Sequence, residues 1–247
     1  MVFGSQLAGL AIVSVIILVR GDGPPAGSDW AFYAAASGAA GAVGLAAFYR
    51  GLAIGAMGVV APISAIAAVV PVVVGVASGE RPGALQFAGI AIAITGVALT
   101  SLEAPEEGAS ARLAAGVPLA LAAALGFGLF FVFMDRASDA DVGWALFANR
   151  CTGVSLLLLA VLVVRPGRPD RRSVGLVALV GVLDTSANGM FAIASTKGLV
   201  SLVAVLGSLY PVVVIALARF VLQERLRRIQ LVGAALALTG VALISAG

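Results

Sequence analysis

The sequence predicts an all-α polytopic membrane protein, built as two inverted repeats of a five-helix unit with the first helix of the first repeat absent. Three observations predict it. Of 247 residues 61% are apolar and 11% charged, and a mean hydropathy of +1.12 belongs to a chain whose solvent is lipid. The apolar residues fall into stretches of about 20, the length that crosses a hydrocarbon core about 30 Å thick. The chain also matches itself at a constant offset of 144 residues.

The apolar stretches lie at 3–19, 30–49, 58–78, 84–102, 113–134, 142–164, 174–195, 199–221 and 229–246, which makes nine spans. The first has no basic segment before it and no small-residue cleavage site after it, so it reads as a span and not as a signal peptide. Between the first and second, Gly21 to Gly27 holds Pro24, Pro25 and three glycines. Between the sixth and seventh, Arg165 to Arg172 interleaves four arginines with Pro166 and Pro169. Neither segment can sit in hydrocarbon. Pro62 and Pro71 in the third stretch, and Tyr210-Pro211 in the eighth, free carbonyls and mark places where a span can bend or break, whether as a gate or as plain packing.

Laid over 224–243, residues 80–99 are identical at eleven of twenty positions. These include Glu80/Glu224, Arg81/Arg225, Gln86/Gln230, Gly89/Gly233 and the run Thr95 to Leu99 against Thr239 to Leu243. Biased composition does not place Glu-Arg, Gln and two glycines in register, so the chain is a duplication. The same offset pairs Phe3 with Phe147 and Gln6 with Arg150, and leaves 113–134 without a mate. Its mate would precede Met1: either translation starts upstream or a second chain, in a homodimer, fills the place. The first repeat is 1–102, the joining loop 103–112 and the second repeat 113–247. An odd number of crossings per unit inserts the second copy upside down, as in secondary transporters.

The Glu-Arg turn, the Gln-x-x-Gly after it and the closing Thr-Gly-Val-Ala-Leu resemble the end of an EamA domain, the unit of many ten-helix members of the drug/metabolite transporter superfamily. The second half carries the resemblance further, with Gly198-Leu-Val-Ser-Leu-Val-Ala, Leu209-Tyr-Pro and Glu224-Arg-Leu in order. The first half departs from it: Pro71 stands one helical turn beyond the position of Pro211. The resemblance implies a pseudo-twofold bundle around a central cavity and gradient-driven export or exchange of amino acids, other metabolites or drug-like compounds. A flippase for lipid-linked substrates, or a structural membrane subunit, is the alternative.

Polar groups inside the spans carry the chemistry, because each costs a few kcal/mol at the bilayer centre unless it faces protein or water. Asp184 lies halfway along 174–195, with Asn188 one turn later on the same face. Arg150 lies well inside 142–164 beside Asn149. Asn149, Arg150, Asp184, Asn188 and Tyr210 are therefore the candidate substrate-binding residues. Two readings of Arg150 and Asp184 stay open, a pin between helices and a substrate or proton site; Gln6, standing at the position of Arg150 in the first copy, tilts the balance towards function. Glu80-Arg81 and Glu224-Arg225 read as charged interfacial turns, Lys197 as a snorkelling cation, and Phe127, Phe130, Phe131 and Phe133 as packing or lipid contact.

Other classes are excluded by what the sequence lacks. There is no His and one Cys, which leaves no disulfide framework, no cysteine metal site and no HExxH helix; with no GxGD motif either, no intramembrane enzyme is expected, and no cofactor. The net charge of +3 lies in short loops, so it speaks of membrane orientation and not of nucleic acid. Arg50, Arg112, Arg165, Arg168, Arg171, Arg172, Arg225, Arg227 and Arg228 fall on one side, against Arg20, Arg81, Arg136 and Lys197 on the other. That count places the N-terminus in the cytoplasm and the C-terminus outside the inner membrane, whereas the resemblance implies both termini inside.

Overall fold

The computed structural model describes residues 2–54, 57–100, 109–164, 174–209, 212–213, 216 and 227–247. In order these form α1 (Val2–Arg20), α2 (Asp29–Ile54), α3 (Met57–Ala65), a 3₁₀ turn (Ile66–Ala68), α4 (Val69–Ala77), α5 (Ala84–Thr100) and α6 (Ala109–Ser138). The remainder are α7 (Val142–Val164), α8 (Val174–Ser195), α9 (Val200–Gly207) and α10 (Arg228–Ala246). The described residues contain no strand. Among the described residues, seven segments are long and apolar enough to cross a membrane, counting 60–77 as one, and α5 is a shorter apolar helix of 17 residues.

The predicted stretches 142–164 and 174–195 coincide with α7 and α8. Others run longer: 30–49 becomes Asp29–Ile54 and 113–134 becomes Ala109–Ser138, so Arg50 and Arg136, expected in loops, stand inside helices, Arg136 in the last turn of α6. Of the predicted span 199–221, the structure describes α9, a turn at Ser208 and Leu209, and little beyond; Tyr210 and Pro211 lie outside the described residues.

The stretch 58–78 is not one helix but two, joined at Ile66–Ala68. Pro71 explains the joint, because it has no N–H to offer the carbonyl of Ala67 four residues earlier, and the chain tightens to 3₁₀ geometry there. Pro62 lies inside α3 without interrupting it. Gly128 of α6 backs the joint: a Cβ on it would stand 2.7 Å from the Ala67 carbonyl oxygen.

Hydroxyls in the helices turn back on their own backbone. Ser14 donates to Leu10 O, Ser64 to Val60 O, Thr95 to Ala91 O and Thr239 to Ala235 O, all at 2.7–2.8 Å. Bonds of this kind let Ser and Thr sit in an apolar span without an orphaned donor.

By compactness the chain forms two units, and each takes segments from both sequence repeats. One unit is Met1–Ala42 with Phe130–Lys197; the other is Val43–Leu129 with Gly198–Gly247. In the first, α1 lies against both α7 and α8. Small residues set the approach: Gly181 of α8 faces the Ser5 carbonyl of α1, and Gly38 of α2 faces the Asn149 carbonyl of α7, in each case too closely for any Cβ. Two of the phenylalanines pack on other rings: Phe131 meets Phe191 at 4.6 Å and Phe133 meets Tyr33 at 6.3 Å, both tilted.

One end of this unit is closed by charges and tryptophans. Arg20 donates to both carboxylate oxygens of Asp141, at 3.0 and 2.7 Å, and Asp141 accepts the Trp144 N–H at 2.9 Å as α7 begins. Trp144 meets Trp30 edge-on at 6.2 Å, the combination that suits the bilayer–water interface. The Arg20 bonds, foremost, hold the Asp141 carboxyl below its ordinary range.

In the second unit α5 and α10 run antiparallel with backbones in contact. Cβ atoms would stand 2.7 Å from Gly240 O if placed on Gly89, 2.6 Å from Thr100 N on Gly233 and 2.6 Å from Ala93 N on Gly240. Only glycine permits such an approach, the small-residue packing typical of membrane helices. The 144-residue shift carries Gly89 to Gly233 and Gly96 to Gly240, so the Gly89–Gly240 contact and the Gly233–Gly96 contact exchange places under it.

Candidate functional site

The interior of the first unit carries a polar cluster on three helices: Gln6 from α1, Arg150 from α7 and Asp184 from α8. Arg150 is 4% exposed. Its Nη1 donates to Gln6 Oε1, and its Nη2 lies 2.8 Å from Asp184 Oδ2. The Nη2 contact is an ion pair off the line of a hydrogen bond, since Nη2 has no hydrogen-bond acceptor, and Nε has none either.

The two charges are unequally placed. The Arg150 side chain is enclosed while the Asp184 side chain is 43% exposed, so the pair presents a fixed cation behind an accessible carboxylate. Gly9 lets α1 approach α8 beside the guanidinium: a Cβ at residue 9 would collide with Thr185 Oγ1 and lie in ordinary contact with Arg150 Nε at 3.6 Å. Thr185 Oγ1 is itself buried without a hydrogen-bond partner. Two donors thus lie unanswered beside one ion pair, where an unpaired buried polar group costs about 1–3 kcal/mol.

The other candidates fall differently. Asn149 is buried, and its Nδ2 donates to Ser37 Oγ at 3.0 Å; Ser37 Oγ in turn donates to Phe130 O at 3.1 Å. Its amide nitrogen is therefore committed to tying α7 to α2. Asn188 is half-buried one turn beyond Asp184, and no hydrogen bond joins it to the cluster. The sequence names Arg150 and Asp184 as candidates without deciding whether they meet; the structure brings them into contact and adds Gln6, which the sequence reading did not name as a partner. The signal was present: Gln6 and Arg150 are separated by 144 residues, the repeat offset itself.

This arrangement can bind and release charge. It holds the Arg150 guanidinium in place against the accepting Gln6 Oε1 and leaves its anionic partner, Asp184, partly exposed. No group of three or more His, Cys, Asp or Glu side chains among the described residues is placed to hold a metal.

A model of the EamA-like transporter family matches residues 114–246, more than half of the chain. The chain belongs to the EamA-like transporter family. It is accordingly a multi-pass membrane transporter of the drug/metabolite type. No curated protein matches it. Among solved structures, one crystal structure that is 19% identical superposes with a TM-score of 0.79 over 98% of this chain and 86% of its own. At that identity the likeness establishes a shared fold.

Proposed function

We propose that this EamA-family protein is a secondary active transporter of the inner membrane, exporting or exchanging small metabolites, amino acids or drug-like compounds by alternating access. The observation that carries the reading is the Arg150–Asp184 pair: a charged couple deep inside α7 and α8, costly in a bilayer unless it works. Substrate or a coupling proton meets Asp184 at its open side, and Arg150, fixed by Gln6, answers the charge that Asp184 releases. Asn188 extends that face by one turn.

Nine spans arranged as two inverted copies complete the proposal. It is supported by the antiparallel run of the repeat-related helices α5 and α10 and by the exchange of their glycine contacts under the 144-residue shift, which two oppositely inserted copies require.

The test is transport by purified protein in liposomes under an imposed proton gradient, with a panel of labelled amino acids and cationic dyes. Gradient-dependent movement of at least one compound, abolished by Asp184→Asn in a protein that still folds, is the expected result. Gradient-dependent transport that survives Asp184→Asn unchanged would remove the site from the proposal.

A further inference from the structure

The Glu80–Arg81 turn is left outside the transport site, and its geometry gives it a task. Helix α9 begins at Val200 without a side-chain cap of its own: its N-cap, Leu199, is extended (φ −68°, ψ 128°) and apolar. The first N–H groups of a helix have no partner within it and form its positive end. Here both needs are met from 120 residues away. Val200 N donates to Glu80 Oε1 at 2.5 Å, and Ser201 N donates to Glu80 Oε2 at 3.2 Å.

The carboxylate has a prepared seat. Gly79, with φ at 102°, turns the chain back after α4, and Gly75 of α4 leaves the space in which the Glu80 head group lies: a Cβ there would stand 2.7 Å from Glu80 Cδ and collide with Oε2. Ser201 is fully buried and its hydroxyl has no hydrogen-bond partner, so nothing on the side chains of that first turn replaces the carboxylate.

We infer that Glu80 is a clasp between the two sequence repeats: seated over Gly75, its carboxylate supplies the N-cap that α9 lacks and fixes the first turn of α9 to the α4–α5 turn. The clasp joins the two copies through two part-buried hydrogen bonds, and it opens by exchanging that carboxylate for water without unpacking the interior of α9. Its purpose in a transport cycle rests on the transporter reading; its existence does not.

Hydrogen exchange of the full chain in lipid nanodiscs, read at the amides of Val200 and Ser201, tests it without any substrate. Glu80→Ala is expected to raise exchange at both amides roughly tenfold, the size of effect a lost helix cap gives, with α5 unchanged. Gly75→Ala, which removes the seat and spares the carboxylate, is expected to do the same, and the double variant to add nothing further. Glu80→Gln retains part of the protection, because its amide oxygen still accepts one N–H. Unchanged exchange in Glu80→Ala and Gly75→Ala, or effects of the two that simply add, would overturn the clasp. A clasp confirmed in a protein that transports nothing would count against the proposed function alone.

Discussion

At the same register of the two sequence copies stand Gln6 and Ala40 in the first, on α1 and α2, and Arg150 and Asp184 in the second, on α7 and α8. The helices are alike and the chemistry is not. Both charges appear together in one copy, and the other copy forms its helices with neither. The pair is therefore not a requirement of the helical unit; it is a neutral insertion in which each charge answers the other. Gln6 does not merely mark the uncharged version of the position, because it binds the guanidinium of its own mate.

The same contrast runs through the glycines, and four outcomes break or sharpen it. The largest concerns the ion pair. Arg150→Gln leaves Asp184 without its cation and Asp184→Asn leaves a buried guanidinium unpaired; the second is expected to cost about 1–3 kcal/mol, less than for a fully enclosed pair because solvent reaches Asp184, and the first less still, since Asp184 is partly exposed. Thermal unfolding in detergent reads both.

Next come the α5–α10 glycines. Gly96→Ala and Gly240→Ala are repeat mates, and each forces a Cβ into a facing backbone. Each is expected to lose about 1–3 kcal/mol, as overpacking does, and the two losses are expected to agree within about 0.5 kcal/mol. Clearly unequal losses would break the equivalence of these helices.

Gly9 and Gly153 are also mates, yet their surroundings differ. A Cβ at Gly9 meets the Thr185 hydroxyl, whereas at Gly153 the nearest atom is Gly38 O at 3.9 Å. Gly9→Ala is expected to destabilise by about 1 kcal/mol or more, and Gly153→Ala to be neutral or to stabilise by up to about 1 kcal/mol through helix propensity. Equal effects would mean that Thr185 does not crowd α1.

The smallest effect is at Asp141. Its carboxyl is held below the ordinary value of 3.8 by Arg20, so the stability from that pairing is complete above 3.8 and is lost as pH falls through the lowered folded value. The difference in melting temperature between wild type and Asp141→Asn should therefore shrink as the pH falls below about 3.8; a constant difference would show that the carboxylate charge plays no part.

Much of this fold was legible because lipid imposes it. Span length and turn residues located α7 and α8 to the residue, and the register of Glu80-Arg81 against Glu224-Arg225 exposed the duplication. What escaped the sequence was set by contacts. Pro62 and Pro71 both mark the third span as breakable, but the sequence does not say that Pro71 breaks it at 66–68 while Pro62 stays inside α3. Glu80 reads as a surface turn until α9, 120 residues later, is found on its carboxylate. Asn149 is polar and sits beside Arg150, but its amide faces Ser37, a direction that helical spacing does not give. Arg150 and Asp184 were found because charge in a span is rare enough to stand out alone.

The central claim is that the Arg150–Asp184 pair serves transport and is not a pin between α7 and α8. Transport by the double variant Arg150→Gln/Asp184→Asn in liposomes decides it. The double variant removes both charges together, gives the second copy the glutamine that the first already carries, and is expected to recover the stability lost in Asp184→Asn while remaining unable to transport. A double variant that folds and transports like wild type would contradict the account.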